Sequence, residues 1–182
     1  GSEMCIRDRI NRWNEIPEDY RVELTELSNG QKVDSRIYPY LQEMFDAARK
    51  DGIYPVVREG YRTYDEQQKI LDDKIKAYIN EGYSQSRAER TAKEWVALPG
   101  TSEHQLGIAV DINADKSKSS NDEVYTWLAA NAHNYGFILR YPQGKQEITG
   151  TSYEPWHYRY VGVDAAREIY ERGICLEEYF EQ

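Results

Sequence analysis

Cysteine is scarce in this sequence, with two among 182 residues, one near each end of the chain. Neither Cys5 nor Cys175 lies in a C-x-x-C spacing, so a thiolate metal site is excluded. Any metal site must therefore be built from histidine and carboxylate ligands. We expect two unpaired thiols, and a disulfide between the two cysteines is the alternative.

Basic residues are also in short supply, since 23 Lys and Arg stand against 32 Asp and Glu, for a net charge of -9. Nucleic acid is therefore not an expected partner, because phosphate binding requires a basic face. No apolar run is long enough to span a bilayer, and no signal peptide is visible. The opening Gly-Ser is typical of an expression scar. Residues 1–10 are accordingly interpreted as a scar or a disordered leader, where a natural leader or anchor could have been removed.

The composition is otherwise that of a folded protein. Hydrophobic residues make up 40% of the chain, and it contains sixteen Tyr and four Trp. This is enough apolar material for one domain with a core. No internal repeat, low-complexity tract or linker is present, so residues 11–182 are expected to form a single domain.

The periodicity of apolar residues predicts helices and strands that do not alternate regularly. Two helices begin at capping boxes, Thr63–Glu66 and Ser120–Glu123. The predicted helices are 35–50, 63–82, a short one from Ser86 to before Pro99, 121–135 and 164–172. The predicted strands are 55–62, 107–113, 137–141 and 156–162. Residues 11–34 are predicted to be a polar entry segment, and 142–152 a hairpin-like loop. This order favours an α+β fold with a mainly antiparallel sheet flanked by helices.

Apolar side chains also predict which helix faces are buried. The first helix is expected to bury one set of side chains, Ile37, Leu41, Met44, Phe45 and Ala48. The second is expected to point another set inward, Leu71, Ile75, Tyr78 and Ile79.

The stretch TSEHQLGIAVDIN, residues 101–113, places a carboxylate in an apolar strand. Alternation puts Ile108, Val110 and Ile112 on one face and Ala109, Asp111 and Asn113 on the other. A buried carboxylate is costly unless a partner compensates its charge. His104 lies in the loop just before the strand, from where it can fold back over Asp111.

A second polar cluster, YEPWHYRY, spans residues 153–160. Glu154 precedes His157 by three residues, and Pro155 keeps the strand from starting before it. Two histidines and one aspartate match the three protein ligands of a catalytic zinc, which leaves a fourth position for water. We therefore predict that His104, Asp111 and His157 bind Zn2+ and that Glu154 is the general base.

These two stretches resemble a known family. SEHQLGIAVDI fits the pattern S-x-H-x-x-G-x-A-x-D, and EPWHYR fits E-x-W-H-x-R. Together they resemble the VanY-type zinc D-alanyl-D-alanine carboxypeptidases, which are related to LD-carboxypeptidases and share a fold with the zinc domain of Hedgehog proteins. The resemblance extends over nearly the whole chain after about residue 11, including GYRTYDEQ (60–67) and GFILRYPQGK (136–145). It implies a Hedgehog/DD-peptidase-like fold.

The resemblance also implies roles for individual residues. His104, Asp111 and His157 would be the zinc ligands and Glu154 the base. Arg62 would hold the terminal carboxylate of the substrate, which a planar guanidinium can bind through two hydrogen bonds. Gln67 and Ser102 match positions that contact the substrate in relatives, and Gln68 replaces Gln67 if the register slips.

The function implied is removal of the terminal D-alanine from peptidoglycan stem peptides, by a monomer outside the cytoplasmic membrane, with or without a membrane anchor. One alternative is an LD-carboxypeptidase that acts on the tetrapeptide stem. Others are a non-catalytic zinc-stabilised module that binds cell-wall peptides, and an endopeptidase.

Other notable side chains are assigned no catalytic role. His133 is expected to be structural at a helix end. Arg140 and Arg159 are expected to be supporting residues without a defined role. For a set of aromatic residues, lining of a substrate groove and simple packing are both open: Tyr153, Trp156, Tyr158 and Tyr160.

Overall fold

A computed structural model describes residues 11, 13–17 and 20–181. Cys5 and the expectation for residues 1–10 therefore lie outside the described residues. The described residues contain six strands, β1 (Leu24–Glu26), β2 (Lys32–Asp34), β3 (Pro55–Glu59), β4 (Ala109–Ala114), β5 (Phe137–Leu139) and β6 (His157–Tyr160). The α-helices are α1 (Tyr38–Lys50), α2 (Tyr64–Asn80), α3 (Gln85–Ala92), α4 (Asn121–Asn131), α5 (Gln146–Thr149), α6 (Val163–Arg172) and α7 (Leu176–Phe180). Two 3-10 helices cover Glu103–Leu106 and Ala132–Tyr135.

The main sheet has four strands in the order β3-β4-β6-β5, and every neighbouring pair is antiparallel. Strands β1 and β2 form a separate antiparallel hairpin. The predicted α+β class with an antiparallel sheet flanked by helices is confirmed. Among the described residues, no helix combines the length and apolar character needed to cross a membrane.

Strand β4 has neighbours on both sides and carries the predicted alternation. Ile108, Val110 and Ile112 are fully buried and belong to the main hydrophobic core. Burial of one such side chain contributes about 1.5–3 kcal/mol relative to exposure. The apolar face therefore anchors the strand, and Asp111 lies on the opposite face.

Helix α1 packs as its periodicity predicts. All five expected side chains are buried in the main core: Ile37, Leu41, Met44, Phe45 and Ala48. After the helix, Gly52 adopts a φ of 77° and donates its N–H to the carbonyl of Arg49, a conformation that glycine adopts readily at a helix end.

Helix α2 begins at the predicted capping box, in which Thr63 and Glu66 exchange hydrogen bonds. The prediction for its inward face is partly wrong. Leu71 is buried, but Ile75 and Tyr78 are half-buried and Ile79 is 38% exposed. The physical reason is that α2 packs mainly against the short helix α3 and not against the strands of the main sheet.

Some predicted boundaries also need correction. Helix α3 is capped by Ser84, whose hydroxyl accepts the N–H of Arg87, so it begins before Ser86 and already ends at Ala92. Strands β3, β5 and β6 are shorter than predicted, because their pairing with neighbouring strands ends at Glu59, Leu139 and Tyr160. Helix α4 has its predicted capping box at Ser120 but becomes a 3-10 helix after Asn131.

Two segments predicted to be irregular contain regular structure. The entry segment 11–34 includes the β1–β2 hairpin, and loop 142–152 includes helix α5 rather than a hairpin. Helix α7 near the end of the chain was not predicted. These elements are three to five residues long, too short for periodicity to distinguish.

The structure also shows where the side chains lie whose roles the sequence left undecided. Tyr158 and Tyr160 are buried in the main core, which favours packing for both, whereas Tyr153 is exposed. His133 stacks on Tyr170 with ring centroids 3.6 Å apart, in keeping with a structural role. Cys175 is buried and has no disulfide partner among the described residues.

Gly136 provides a stability test of the fold. It has a φ of 89°, and a Cβ there would lie 2.6 Å from a ring carbon of Tyr160. Gly144 has a φ of 77° with open space around it. We expect Gly144→Ala to lower the free energy of unfolding by about 1 kcal/mol from backbone strain alone. Gly136→Ala should cost about 1–3 kcal/mol more because it also overpacks the core. Urea denaturation of both variants measures the difference, and equal losses would contradict the predicted steric clash.

Candidate metal centre

The pairing of β4 with β6 brings two predicted ligands together. In this antiparallel register Asp111 lies directly opposite His157. His104 comes from the 3-10 helix that precedes β4, and Gly107 with a φ of 81° turns the chain from that helix into the strand. One ligand atom from each of these three side chains lies within 4.8 Å of the others.

Hydrogen bonding orients the His104 ring. Its Nδ1 lies 2.8 Å from the carbonyl oxygen of Gly60, and its Nε2 lies 3.2 Å from Oδ1 of Asp111. Because a carbonyl oxygen only accepts, Nδ1 must carry the proton and donate it. Nε2 then has a lone pair directed toward Asp111, which is the state required of a metal ligand.

Whereas His104 faces Asp111 through Nε2, His157 faces it through Nδ1. Its Nε2 lies 3.3 Å from Oε1 of Glu103, and its Nδ1 lies 3.1 Å from Oδ1 of Asp111. Burial opposes a charged ring, but the hydrogen bonds with Asp111 and Glu103 outweigh it and raise the pKa of His157 to about 9. The two carboxylates therefore favour a positive charge beside Nδ1, and either a proton or a metal ion can supply it.

The three donors fit a zinc ion. Two imidazole nitrogens and one carboxylate oxygen are a common catalytic zinc set, which leaves a coordination position for water or substrate. Burial disfavours the charged form of Asp111, yet the two imidazoles hold the pKa of that carboxyl well below its usual range. An ionised, half-buried carboxylate between two imidazoles is stabilised by a cation at this point.

Glu154 lies three residues before His157 and lines the same cavity as the three donors. Its backbone N–H donates to the carbonyl of Tyr141, which fixes the chain at the entry to β6. The side chain is buried, and this burial raises the pKa of Glu154 to about 8, with a further contribution from the charge of Asp111. A carboxyl with such a pKa can exchange a proton near neutral pH.

Arg62 lies just after β3 and is held beside the cluster. Its Nε donates to Glu59 at 3.1 Å and its Nη1 to Oε1 of Gln67 at 3.2 Å. Its Nη2 lies 3.5 Å from Oδ2 of Asp111. The backbone N–H of Arg62 also donates to the carbonyl of His104. The guanidinium is thus fixed beside the three candidate metal-binding side chains, where it can bind an anionic group of a substrate.

Gln67 and Ser102 also lie at the site. Gln67 is buried, and its Nε2 donates to the carbonyl of Ala97 at 2.8 Å. Gln68 donates to Asp72 instead, so the register places Gln67 and not its neighbour in the cavity. The hydroxyl of Ser102 accepts the N–H of His104 and caps the 3-10 helix.

All seven predicted site residues line one cavity of about 100 Å³. Its remaining walls are mainly apolar or aromatic: Ile70, Trp95, Val96, Ala97, Tyr141 and Thr151. The small volume suits one compact residue of a substrate beside a metal ion.

Three residues around the site were missed or left without a role. Glu59 holds Arg62, Glu103 contacts His157, and the ring of Tyr141 lies 4.8 Å from the ring of His157. Glu103 is adjacent to His104 in the first motif, which was the one available signal. In a sequence, both glutamates are typical of solvated surface acids, because their partners lie elsewhere in the chain.

The fold and site define a class of protein with a candidate metal-binding triad on an antiparallel sheet, and with a buried carboxyl and a fixed arginine in the same cavity. The chain belongs to the VanY family, described as D-alanyl-D-alanine carboxypeptidase, whose model matches residues 30–163.

Individual relatives are close. A D-alanyl-D-alanine carboxypeptidase of Enterococcus faecalis (strain ATCC 700802 / V583) is 59% identical over 170 residues, which is 93% of this chain and 63% of that protein. The structure of VanYB in complex with D-alanine-D-alanine is 57% identical, with a TM-score of 0.97 over 99% of both chains. A mutant of the vancomycin resistance D,D-pentapeptidase VanY in complex with Zn(II) is 59% identical, with a TM-score of 0.93 over 94% of this chain and 96% of that one.

A relative named as an LD-carboxypeptidase is less similar to this chain. The structure of the LdcB LD-carboxypeptidase is 37% identical, with a TM-score of 0.79, and the match covers 97% of this chain and 86% of that one. The chain spans 63% of the length of the first curated relatives that it matches.

The zinc content of purified variants tests the assignment of the three metal ligands. We expect His104→Ala to lose stoichiometric zinc because only two ligands remain, whereas His133→Ala, a histidine outside the cavity, should retain it. Elemental analysis of the purified proteins after zinc loading and dialysis gives the answer. Full zinc content in the His104 variant would contradict the ligand assignment.

Proposed function

We propose that this chain is a zinc-dependent carboxypeptidase that removes the terminal D-alanine from peptidoglycan stem peptides. The observation that carries the proposal is the shared cavity, in which the metal-binding triad, the buried Glu154 and the fixed Arg62 face one small volume. Membership of the VanY family and the relatives of similar length solved with Zn(II) and with D-alanine-D-alanine support it.

The chemistry proposed is hydrolysis of the last peptide bond. Zinc held by His104, Asp111 and His157 supplies Lewis-acid polarisation of the scissile carbonyl and lowers the pKa of water in contact with it. Glu154 takes one proton from the attacking water as the oxygen bonds to the carbonyl carbon. When the C–N bond breaks, the same carboxyl gives that proton to the leaving amine.

Arg62 gives the enzyme its preference for a chain end. Its guanidinium can bind the terminal carboxylate of the substrate through two parallel hydrogen bonds, which a lysine cannot reproduce. Gln67 stabilises this arginine through the 3.2 Å hydrogen bond, and we propose that Gln67 and Ser102 also contact the substrate. An endopeptidase is disfavoured because such a site selects a free carboxylate.

We favour DD over LD specificity for this chain. The DD relatives reach TM-scores of 0.97 and 0.93, against 0.79 for the LD-carboxypeptidase. A non-catalytic binding module has no need of a general base, and burial of Glu154 would be an uncompensated cost in such a module.

The place of action and the assembly follow from the substrate and the site. Peptidoglycan lies outside the cytoplasmic membrane, so we propose an extracytoplasmic enzyme. One chain supplies all seven site residues, so we propose that a monomer is active.

Product analysis tests the activity. The purified protein is incubated with a stem pentapeptide ending in D-Ala-D-Ala and, separately, with the matching tetrapeptide, with and without a chelator. We expect chelator-sensitive loss of one alanine from the pentapeptide by mass spectrometry. Glu154→Gln should lower kcat by about 10²- to 10⁴-fold, and Glu147→Gln, on the exposed side of α5, serves as the control. Loss from the tetrapeptide alone would establish LD specificity, and loss from neither would contradict the proposal.

Arg62→Lys tests recognition of the carboxylate. We expect kcat/KM to fall by about 10- to 100-fold, corresponding to the ~1.5–3 kcal/mol of a hydrogen bond to a charged group. Arg58→Lys, on the exposed face of the preceding strand β3, should leave kcat/KM unchanged. Amidation of the substrate's C-terminus should slow the parent enzyme strongly and the Arg62→Lys variant far less. An equal rate on amidated and free substrate would favour an endopeptidase.

A further inference from the structure

Glu103 is a buried carboxylate beside the candidate metal-binding triad, and it is not itself a member of that triad. Glu103 begins the 3-10 helix, and its side chain has no exposed surface. Oε1 lies 3.3 Å from Nε2 of His157. Oε2 accepts from Nε of Arg140 at 2.9 Å and from Nη1 of Arg159 at 2.6 Å. The two oxygens of this carboxylate therefore have different partners: Oε1 contacts His157, and Oε2 accepts from the two arginines.

The two arginines are completely buried and tie the carboxylate to the end of the chain. Nη1 and Nη2 of Arg140 donate to the two oxygens of Glu177 in helix α7, at 2.8 and 2.6 Å. Asn11 donates to the same carboxylate at 3.0 Å. A continuous path of hydrogen bonds thus runs from both ends of the described chain to the ring of His157.

The charges of this network balance without His157. Glu103 and Glu177 contribute two negative charges, and Arg140 and Arg159 contribute two positive ones. Donors from both arginines lie within 2.9 Å of Oε2 and compensate the charge of Glu103 directly. Because its charge is already compensated, Glu103 can remain a carboxylate while His157 is a neutral imidazole.

Stability alone does not account for such a network. Replacing a buried ion pair by well-packed apolar residues is often neutral or stabilising, so buried pairs are weak evidence of a contribution to folding. In metal sites, a carboxylate that accepts the second N–H of a ligating histidine fixes the ring and its tautomer. The contact of Glu103 with Nε2 has this geometry, and Nδ1 faces Asp111.

We propose that Glu103 is a positioning residue that holds the proton of His157 on Nε2 and so keeps Nδ1 available for the metal ion. Arg140 and Arg159 hold Oε2 in place, which leaves Oε1 directed at His157, and Glu177 anchors Arg140. The inference rests on the proposed function to the extent that the cluster binds zinc.

The geometry predicts what an amide would do. Oε2 receives two arginine donors, so an amide NH2 cannot occupy that position. In Glu103→Gln the NH2 group would face His157 and donate to Nε2, which moves the ring proton to Nδ1. The variant would therefore disfavour the tautomer that binds the metal while conserving side-chain volume.

The test compares zinc affinity and stability in the full chain. Zinc Kd is measured by competition with a chromophoric chelator for the parent, Glu103→Gln, Glu103→Ala and Glu177→Gln, and Tm is measured alongside. Both Glu103 variants should bind zinc about 10- to 100-fold more weakly. Glu177→Gln also breaks a buried pair with Arg140 and should lower Tm comparably, but it should weaken zinc binding much less because it does not contact His157.

NMR of the His157 ring distinguishes a positioning role of Glu103 from a general loss of stability. In the zinc-loaded parent, 15N NMR should show the proton of His157 on Nε2. Unchanged zinc Kd in both Glu103 variants, or losses of affinity that merely parallel Tm in all three, would overturn the inference. If Glu103→Ala does not fold, Glu103→Gln provides the result. A parent protein that binds no zinc would instead overturn the proposed function.

Discussion

The antiparallel pairing of β4 with β6 is the constraint on which the rest of the site depends. It places Asp111 opposite His157, although the two are far apart in the chain, and a shift of one residue would turn Asp111 toward the core. The apolar face of β4 resists that shift, because Ile108, Val110 and Ile112 would then lose their burial. The same packing that stabilises the sheet therefore sets the position of the proposed metal ligands.

Buried charge is arranged in two layers around this pairing. The inner layer is the candidate metal-binding triad, in which Asp111 lies between the rings of His104 and His157. The outer layer holds the rings in place, through the carbonyl of Gly60 on His104 and the carboxylate of Glu103 on His157. Gly60 is itself constrained, since a Cβ there would clash with the carbonyl oxygen of Lys32. The hairpin strand β2 thus helps to position a ligand that belongs to a different part of the chain.

Much of the fold and of the site was predictable from local patterns. The capping boxes at Thr63 and Ser120, the buried face of α1 and the alternation in β4 all depend on neighbouring residues, so the sequence shows them directly. The inward face of α2 was partly mispredicted, because its contacts are with α3 and not with the sheet. The roles of Arg140 and Arg159 could not be predicted, since their shared partner Glu103 lies 37 and 56 residues away.

By itself the sequence determined the donor set and the order of the two motifs, because metal chemistry depends on residue types and a strand's alternation tells which of them share a face. It also limited the metal to histidine and carboxylate ligands, since the cysteines are too few and too far apart. Only the tertiary structure decided which ring nitrogen faces the metal, which of Gln67 and Gln68 enters the cavity, and which carboxylate supports His157. These depend on distances and hydrogen-bond directions between segments that are remote in the chain, and no local pattern encodes them.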